Sequence, residues 1–145
     1  MLDISEIMTP RRSLVIISPG STVDEARRTM TAHAIRHLPV LDESGKLVGL
    51  VSQTDVLVAG HGDSRPVRDI MVREIDTIDE RSNVQHAALL MFRRKRSCLP
   101  VTRDGELRGI VTDSDFLGVA ITLMEQLEVV EPEPEESEAT DDALS

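Results

Sequence analysis

The 145 residues amount to one ordinary domain, and with no Trp, no Tyr and only Phe92 and Phe116 as aromatics the core must be aliphatic. The net charge of −10 is unevenly placed: eight acids and no Lys or Arg lie from Glu128 onward, which leaves −2 for the rest and argues against non-specific nucleic-acid binding. The lone Cys98 excludes an intramolecular disulfide, and no apolar run approaches the roughly 20 residues that span a bilayer.

In chain order, Met1 to Met8 reads as a short lead-in helix closed by Thr9-Pro10, because a residue before proline avoids the α region. Leu14 to Ile17 reads as a strand and Ser18-Pro19-Gly20 as a turn. Thr22 with Glu25 forms a capping box, and Val23, Ala26 and Met30 give the following helix one apolar face. Arg36 to Leu41 and Leu47 to Val51 read as a hairpin turned at Asp42-Glu43-Ser44-Gly45, followed by a helix that starts at Ser52 or Thr54 and runs toward Ala59. After a Gly60–Ser64 connector the order returns: a short helix over Val67–Met71, a strand over Ile75–Ile78, and an Asn83-capped helix to about Arg94. A hairpin over Ser97–Val101 and Leu107–Val111 then leads to a helix from about Ser114 to Leu127. The Glu- and Pro-rich remainder has little to bury and is expected to be disordered.

The chain repeats itself in letters as well as in pattern. Ile7-Met8 returns as Ile70-Met71, His37-Leu38-Pro39-Val40 as Cys98-Leu99-Pro100-Val101, and Gly49-Leu50-Val51-Ser52-Gln53-Thr54-Asp55 as Gly109-Ile110-Val111-Thr112-Asp113-Ser114-Asp115. The offsets are 63, 61 and 60 residues, the drift expected of loop changes between two copies of one fold. The expected organisation is repeat 1 over 1–60, a connector over 61–66, repeat 2 over 67–127 and an acidic tail over 128–145. Each β-α-β-β-α repeat is marginal alone, so an α/β pair packed sheet to sheet with pseudo-two-fold symmetry is expected, with a ligand cleft between the copies.

The Gly-aliphatic-Val-Ser/Thr-x-x-Asp stretch ends a strand and opens a helix, where free N–H groups and the positive dipole end suit a phosphate. The Ser52 hydroxyl can add a bond to that anion, and Asp55 one turn along can accept from two vicinal ribose hydroxyls. Thr112 and Asp115 repeat the arrangement. Ser/Thr-x-x-Asp is also an ordinary capping motif, so ligand contact and capping both stand. Gly49 is read as letting a backbone come close.

With its letters assembled, the repeated unit resembles the cystathionine-β-synthase (CBS) domain, and the pair a Bateman module, over about residues 5 to 127. The resemblance rests on Glu6-Ile7-Met8-Thr9 with Asp69-Ile70-Met71, the two Leu-Pro-Val strands, and the two Gly-aliphatic-Val-Ser/Thr-x-x-Asp signatures. It implies a regulatory adenosyl ligand, AMP, ADP or ATP and in some members S-adenosylmethionine or NAD, with no cofactor required. It further implies phosphate contact by Ser52 and Thr112 and ribose contact by Asp55 and Asp115. The base would lie against backbone beside Pro39 and Pro100 and against aliphatics such as Ile17. The second copy departs by carrying Asp76, Asp79 and Glu80 where the first has Val15 or Ile16, Ser18 and Pro19, and that negative charge is expected to weaken a phosphate site.

Other residues have two readings each. Arg93-Arg94-Lys95-Arg96 complements a helix C-terminus, or supplies a phosphate contact; Arg96, and Arg36 read as lying at the matching place before the first Leu-Pro-Val strand, are the first candidates for the latter. His37 borders the expected cleft and reads as a ligand contact or a half-buried strand histidine. His33, His37, His61 and His86 lack metal-ligand spacing, and no phosphate-cradling Gly-rich loop ending in Lys-Ser/Thr is present. The expectation is a non-enzymatic, homodimeric cytoplasmic sensor of adenine nucleotides that acts in trans on an effector protein, without membrane or nucleic acid as partner. The alternative is a constitutive dimeric interaction module without a small-molecule ligand.

Overall fold

The structure is a computed structural model that describes residues 2–128. Four helices and six short strands alternate: β1 (Thr9–Pro10), α1 (Val23–His33), β2 (His37–Leu41), β3 (Leu47–Ser52), α2 (Gln53–Ala59), β4 (Ile78–Asp79), α3 (Val84–Arg94), β5 (Cys98–Arg103), β6 (Glu106–Thr112) and α4 (Asp113–Leu127). The chain divides into two compact units after Asp115, so both repeat sheets lie in the first unit and most of α4 in the second.

Local chemistry sets the element ends. The Thr22 hydroxyl accepts from Glu25 N at 3.0 Å while Glu25 accepts from Thr22 N at 3.3 Å, the reciprocal box that opens α1. Asn83 does the equivalent for α3, accepting from His86 N at 2.7 Å. Both helices stop at a residue in the left-handed region, Ala34 (φ 53°) and Lys95 (φ 54°). Between β2 and β3 the Asp42 carboxylate accepts from Ser44 N and Lys46 N, both at 2.9 Å, and so holds the hairpin turn. Apolar periodicity sets the core: Val23, Ala26 and Met30 of α1 pack with Leu38, Val40, Val51 and Val56. Each fully buried aliphatic side chain there contributes about 1.5–3 kcal/mol.

The pseudo-two-fold symmetry is visible in the pairing. In the second repeat, β4 runs parallel to β5 through Ile78–Val101, β5 pairs antiparallel with β6, and β1 pairs with β6 through Thr9–Ile110. In the first repeat, β2 and β3 form the hairpin, a parallel bridge joins Ile17 to Val40, and an antiparallel bridge joins Leu50 to Val72. The segment leading into each repeat therefore completes the sheet of the other. Residues 2–10 belong structurally with the second repeat: Ile4 N donates to Ser82 O and Val84 N to Leu2 O. Residues 63–72 belong with the first: Val23 N donates to Arg65 O, Val67 N to Ser21 O, and Val67 and Met71 join the first core.

That exchange accounts for the two signature glycines. A Cβ on Gly49 would collide with the Met71 side chain, and one on Gly109 with the Thr9 carbonyl oxygen and the Met8 sulfur. The glycines make room for the segment leading into the opposite repeat; at Gly49 the close approach is a side chain and not the expected backbone, which comes close at Gly109 instead.

Several expected elements are shorter. The lead-in helix is a single 3-10 turn over Ile4–Glu6, and the Val67–Met71 helix a 3-10 turn over Val67–Asp69. The Leu14–Ile17 strand reduces to the one bridge at Ile17, and the Ile75–Ile78 strand shifts to Ile78–Asp79. The β-α-β-β-α pattern gives each repeat three strands for its sheet; the structure has instead a four-stranded sheet and a two-stranded hairpin extended by single bridges. The tail beyond residue 128 lies outside the described residues.

Candidate ligand cavities

Two cavities of about 190 Å³ each open beside the paired hairpins. One is walled by His37, Leu50, Ser52 and Asp55 from the first repeat and by Val72, Glu74, Ile75, Asp76, Lys95, Arg96, Ser97 and Cys98. Its pseudo-symmetry mate is walled by Thr112 and Ile110 from the second repeat and by Thr9, Ser13, Leu14, Val15, Ile35, Arg36, His37 and Pro39. The walls correspond position by position: Leu50 to Ile110, Ser52 to Thr112, Ile75 to Leu14, Asp76 to Val15 and Cys98 to His37. His37 lines both, and a 3.4 Å contact joins its Nε2 to Ser97 Oγ across the repeats.

The signature residues are held by their own helix starts. Ser52 N donates to Asp55 Oδ2 at 2.8 Å, and Asp55 N donates to Ser52 Oγ at 3.2 Å. In the second copy Thr112 N donates to Asp115 Oδ2 at 2.8 Å, but the Thr112 hydroxyl donates to the same oxygen at 3.3 Å instead of accepting from the helix. Both acids thus act within the capping motif. Ser52 and Asp55 face their cavity as well, whereas Thr112 lines its cavity and Asp115 does not.

The remaining expected site residues divide. Arg36, His37 and Pro39 line the Thr112 cavity, and Arg96 and His37 the Ser52 cavity. Ile17 and Pro100 are buried and line neither cavity. Arg36 and Arg96 are not structural equivalents. Ala34 and Lys95 are the matching helix ends, so Ile35 matches Arg96 and Arg36 matches Ser97. The backbone agrees: Gln53 N donates to Arg36 O, and Asp113 N to Ser97 O. Ile35, Ser97, Ser13 and Glu74 were not singled out from sequence. Aligning the two copies at offset 61 would have found the first two.

The acids of the second copy are compensated. Arg96 Nε donates to Asp76 at 2.9 Å, Arg81 to Asp79 at 2.9 Å, and Arg103 and Arg108 reach the buried Glu80 at 3.2 and 3.4 Å. The side-chain bonds from Arg81 hold the Asp79 carboxyl well below the usual carboxylate range. Burial depresses the His37 imidazole, Arg36 depresses it further, and Asp113 and Asp55 oppose the shift, so the ring is neutral at pH 7. Burial, with Asp113 and Asp115 beside it, pushes the Cys98 thiol up to about 12, which leaves it protonated and unreactive. Among the described residues no helix is long and apolar enough to cross a membrane.

The CBS domain family matches residues 4–62 and again 67–122. Inosine-5′-monophosphate dehydrogenase of Korarchaeum cryptofilum is 42% identical over 105 residues, 72% of this chain and 22% of that enzyme, so the chain spans about a fifth of that relative's length. The structure of CBSX2 from Arabidopsis thaliana in complex with AMP superposes with a TM-score of 0.77 at 28% identity, covering 86% of this chain and 99% of that one. The CBS domain pair of protein MJ0100, in complex with 5′-methylthioadenosine and S-adenosyl-L-methionine, gives a TM-score of 0.72 at 30% identity over 84% of this chain and 98% of that one. Two matched copies, reciprocally completed sheets and the paired cavities make this chain a member of the CBS domain family, built as a tandem pair.

Proposed function

We propose that this chain is a non-catalytic sensor of adenine nucleotides, AMP, ADP or ATP, which bind in the cavities between the repeats and alter contact with an effector protein in trans. The observation that carries this reading is the build of the Thr112 cavity. A hydroxyl at a helix start and the Arg36 guanidinium stand beside Leu14, Val15, Ile35, Pro39 and Ile110, polar groups for a phosphate next to an aliphatic slot for a base. Two tandem-CBS relatives crystallised with adenosyl compounds support the ligand class. Because each cavity takes wall residues from both repeats, a ligand that binds one arrangement of the repeats better than another shifts the population toward it.

The assembly that belongs with this reading is a homodimer in the cytoplasm. Helix α4 has no buried residue and exposes Leu117, Ile121 and Met124 at i, i+4 and i+7 along one stripe. A second reading, a dimeric interaction module without ligand, draws support from one observation: both signature acids accept from the backbone of their own hydroxyl residue. Differential scanning fluorimetry with AMP, ADP, ATP, S-adenosylmethionine and NAD separates the two. A ligand that binds only the folded state raises Tm, at 100 times its Kd by the equivalent of about 2.7 kcal/mol. A flat response to all five leaves the interaction module.

A further inference from the structure

Resting on the reading of these cavities as adenosyl sites, we propose that the two divide ligands by charge. The Thr112 cavity takes a phosphate-bearing adenosine, and the Ser52 cavity an adenosine whose 5′ substituent is neutral or cationic. The walls differ where the two copies differ in sequence. Among the described residues the only charged one in the wall of the Thr112 cavity is Arg36, accompanied by the hydroxyls of Thr9, Ser13 and Thr112, and no carboxylate of the described residues lines it. A phosphate entering there meets the Arg36 guanidinium and the hydroxyls of Thr9 and Ser13; the Thr112 hydroxyl already donates to Asp115, whose carboxylate is not part of the cavity lining.

The Ser52 cavity substitutes Glu74 for Ser13, Asp76 for Val15 and Arg96 for Ile35, with Ser97 in place of Arg36. Three carboxylates (Asp55, Glu74, Asp76) then face two cations (Lys95, Arg96), and the Arg96 guanidinium is already taken by Asp76 at 2.9 Å. A phosphate would have to displace Asp76 from Arg96 while lying near Asp55 and Glu74. A sulfonium or amine in the same place gains carboxylate partners, and a thioether avoids the repulsion. His37, whose imidazole is depressed by burial, lines both cavities and so does not distinguish them.

Calorimetric titrations of the full chain with AMP and with S-adenosylmethionine, singly and each in the presence of the other at saturation, test the division. The expected result is simultaneous binding, with neither ligand displacing the other. Arg36→Ala is expected to weaken AMP by about tenfold or more with S-adenosylmethionine unchanged. Asp76→Ala is expected to weaken S-adenosylmethionine while a second AMP site appears, a gain that a misfolded variant cannot show. Mutual displacement overturns the division but leaves adenosyl binding standing. AMP affinity untouched by Arg36→Ala in a variant with wild-type Tm does the same. Absence of heat with either ligand overturns the division together with the reading on which it rests.

Discussion

At the scale of single residues, the two signature hydroxyls differ in ways their shared motif conceals. Ser52 Oγ accepts the Asp55 amide and so satisfies a helix-start donor, whereas the Thr112 hydroxyl donates to Asp115 and satisfies none. Ser52→Ala should therefore cost about 1 kcal/mol of stability and Thr112→Ala clearly less, read from urea midpoints. Equal losses would contradict the difference in capping. His37 supplies a second test. Its folded-state pKa lies below the ordinary 6.5, so the unfolded chain binds the proton first. Its contribution to stability is full above about pH 6.5 and is lost as pH falls toward the depressed value. The urea midpoint should drop between pH 7 and 5, and His37→Gln should flatten that slope. A variant as pH-sensitive as the parent would assign the effect elsewhere. Residue types and spacing made Ser52, Asp55, Arg96 and His37 separate candidates with two readings each, and the fold brings these four to one cavity. They also put Arg36 opposite Arg96, one position out, because the offset of the copies changes from 61 to 60 between the helix end and the signature.

At the scale of elements, helices and hairpins were legible because their signals are local. Thr22 with Glu25, Asn83, and the Asp42 turn each name their own partner within three or four residues. The lead segments were not legible, since their partners lie in the other repeat. Leu14 to Ile17 has the letters of a strand, yet Leu14 and Val15 line the Thr112 cavity and only Ile17 reaches Val40. Ile75 and Asp76 leave the second sheet in the same way. The reciprocal exchange makes a prediction about the glycines. At Gly109 an added Cβ meets the Thr9 carbonyl, a backbone atom held in β1, while at Gly49 it meets the Met71 side chain, which has rotamers to use. Gly109→Ala should destabilise more than Gly49→Ala, with overpacking costs of roughly 1–3 kcal/mol. The reverse order in thermal or urea unfolding would show that Met71 is the more rigid of the two obstacles.

At the scale of the whole molecule, reciprocal sheets place wall residues from both repeats around each cavity, so a ligand held in either would touch both repeats. The exposed apolar stripe of α4 calls for a covering surface, and the proposed homodimer supplies one. Ile121→Asp should shift the mass seen by light scattering at micromolar concentration from dimer to monomer, and an unaltered parent mass equal to one chain would remove the dimer. Isothermal titration calorimetry of AMP into the full chain tests most directly whether the cavities hold adenosyl ligands. Saturable binding that Arg36→Ala weakens by about tenfold or more is expected; no saturable heat from AMP at millimolar concentration would rule out adenosyl ligands in these cavities.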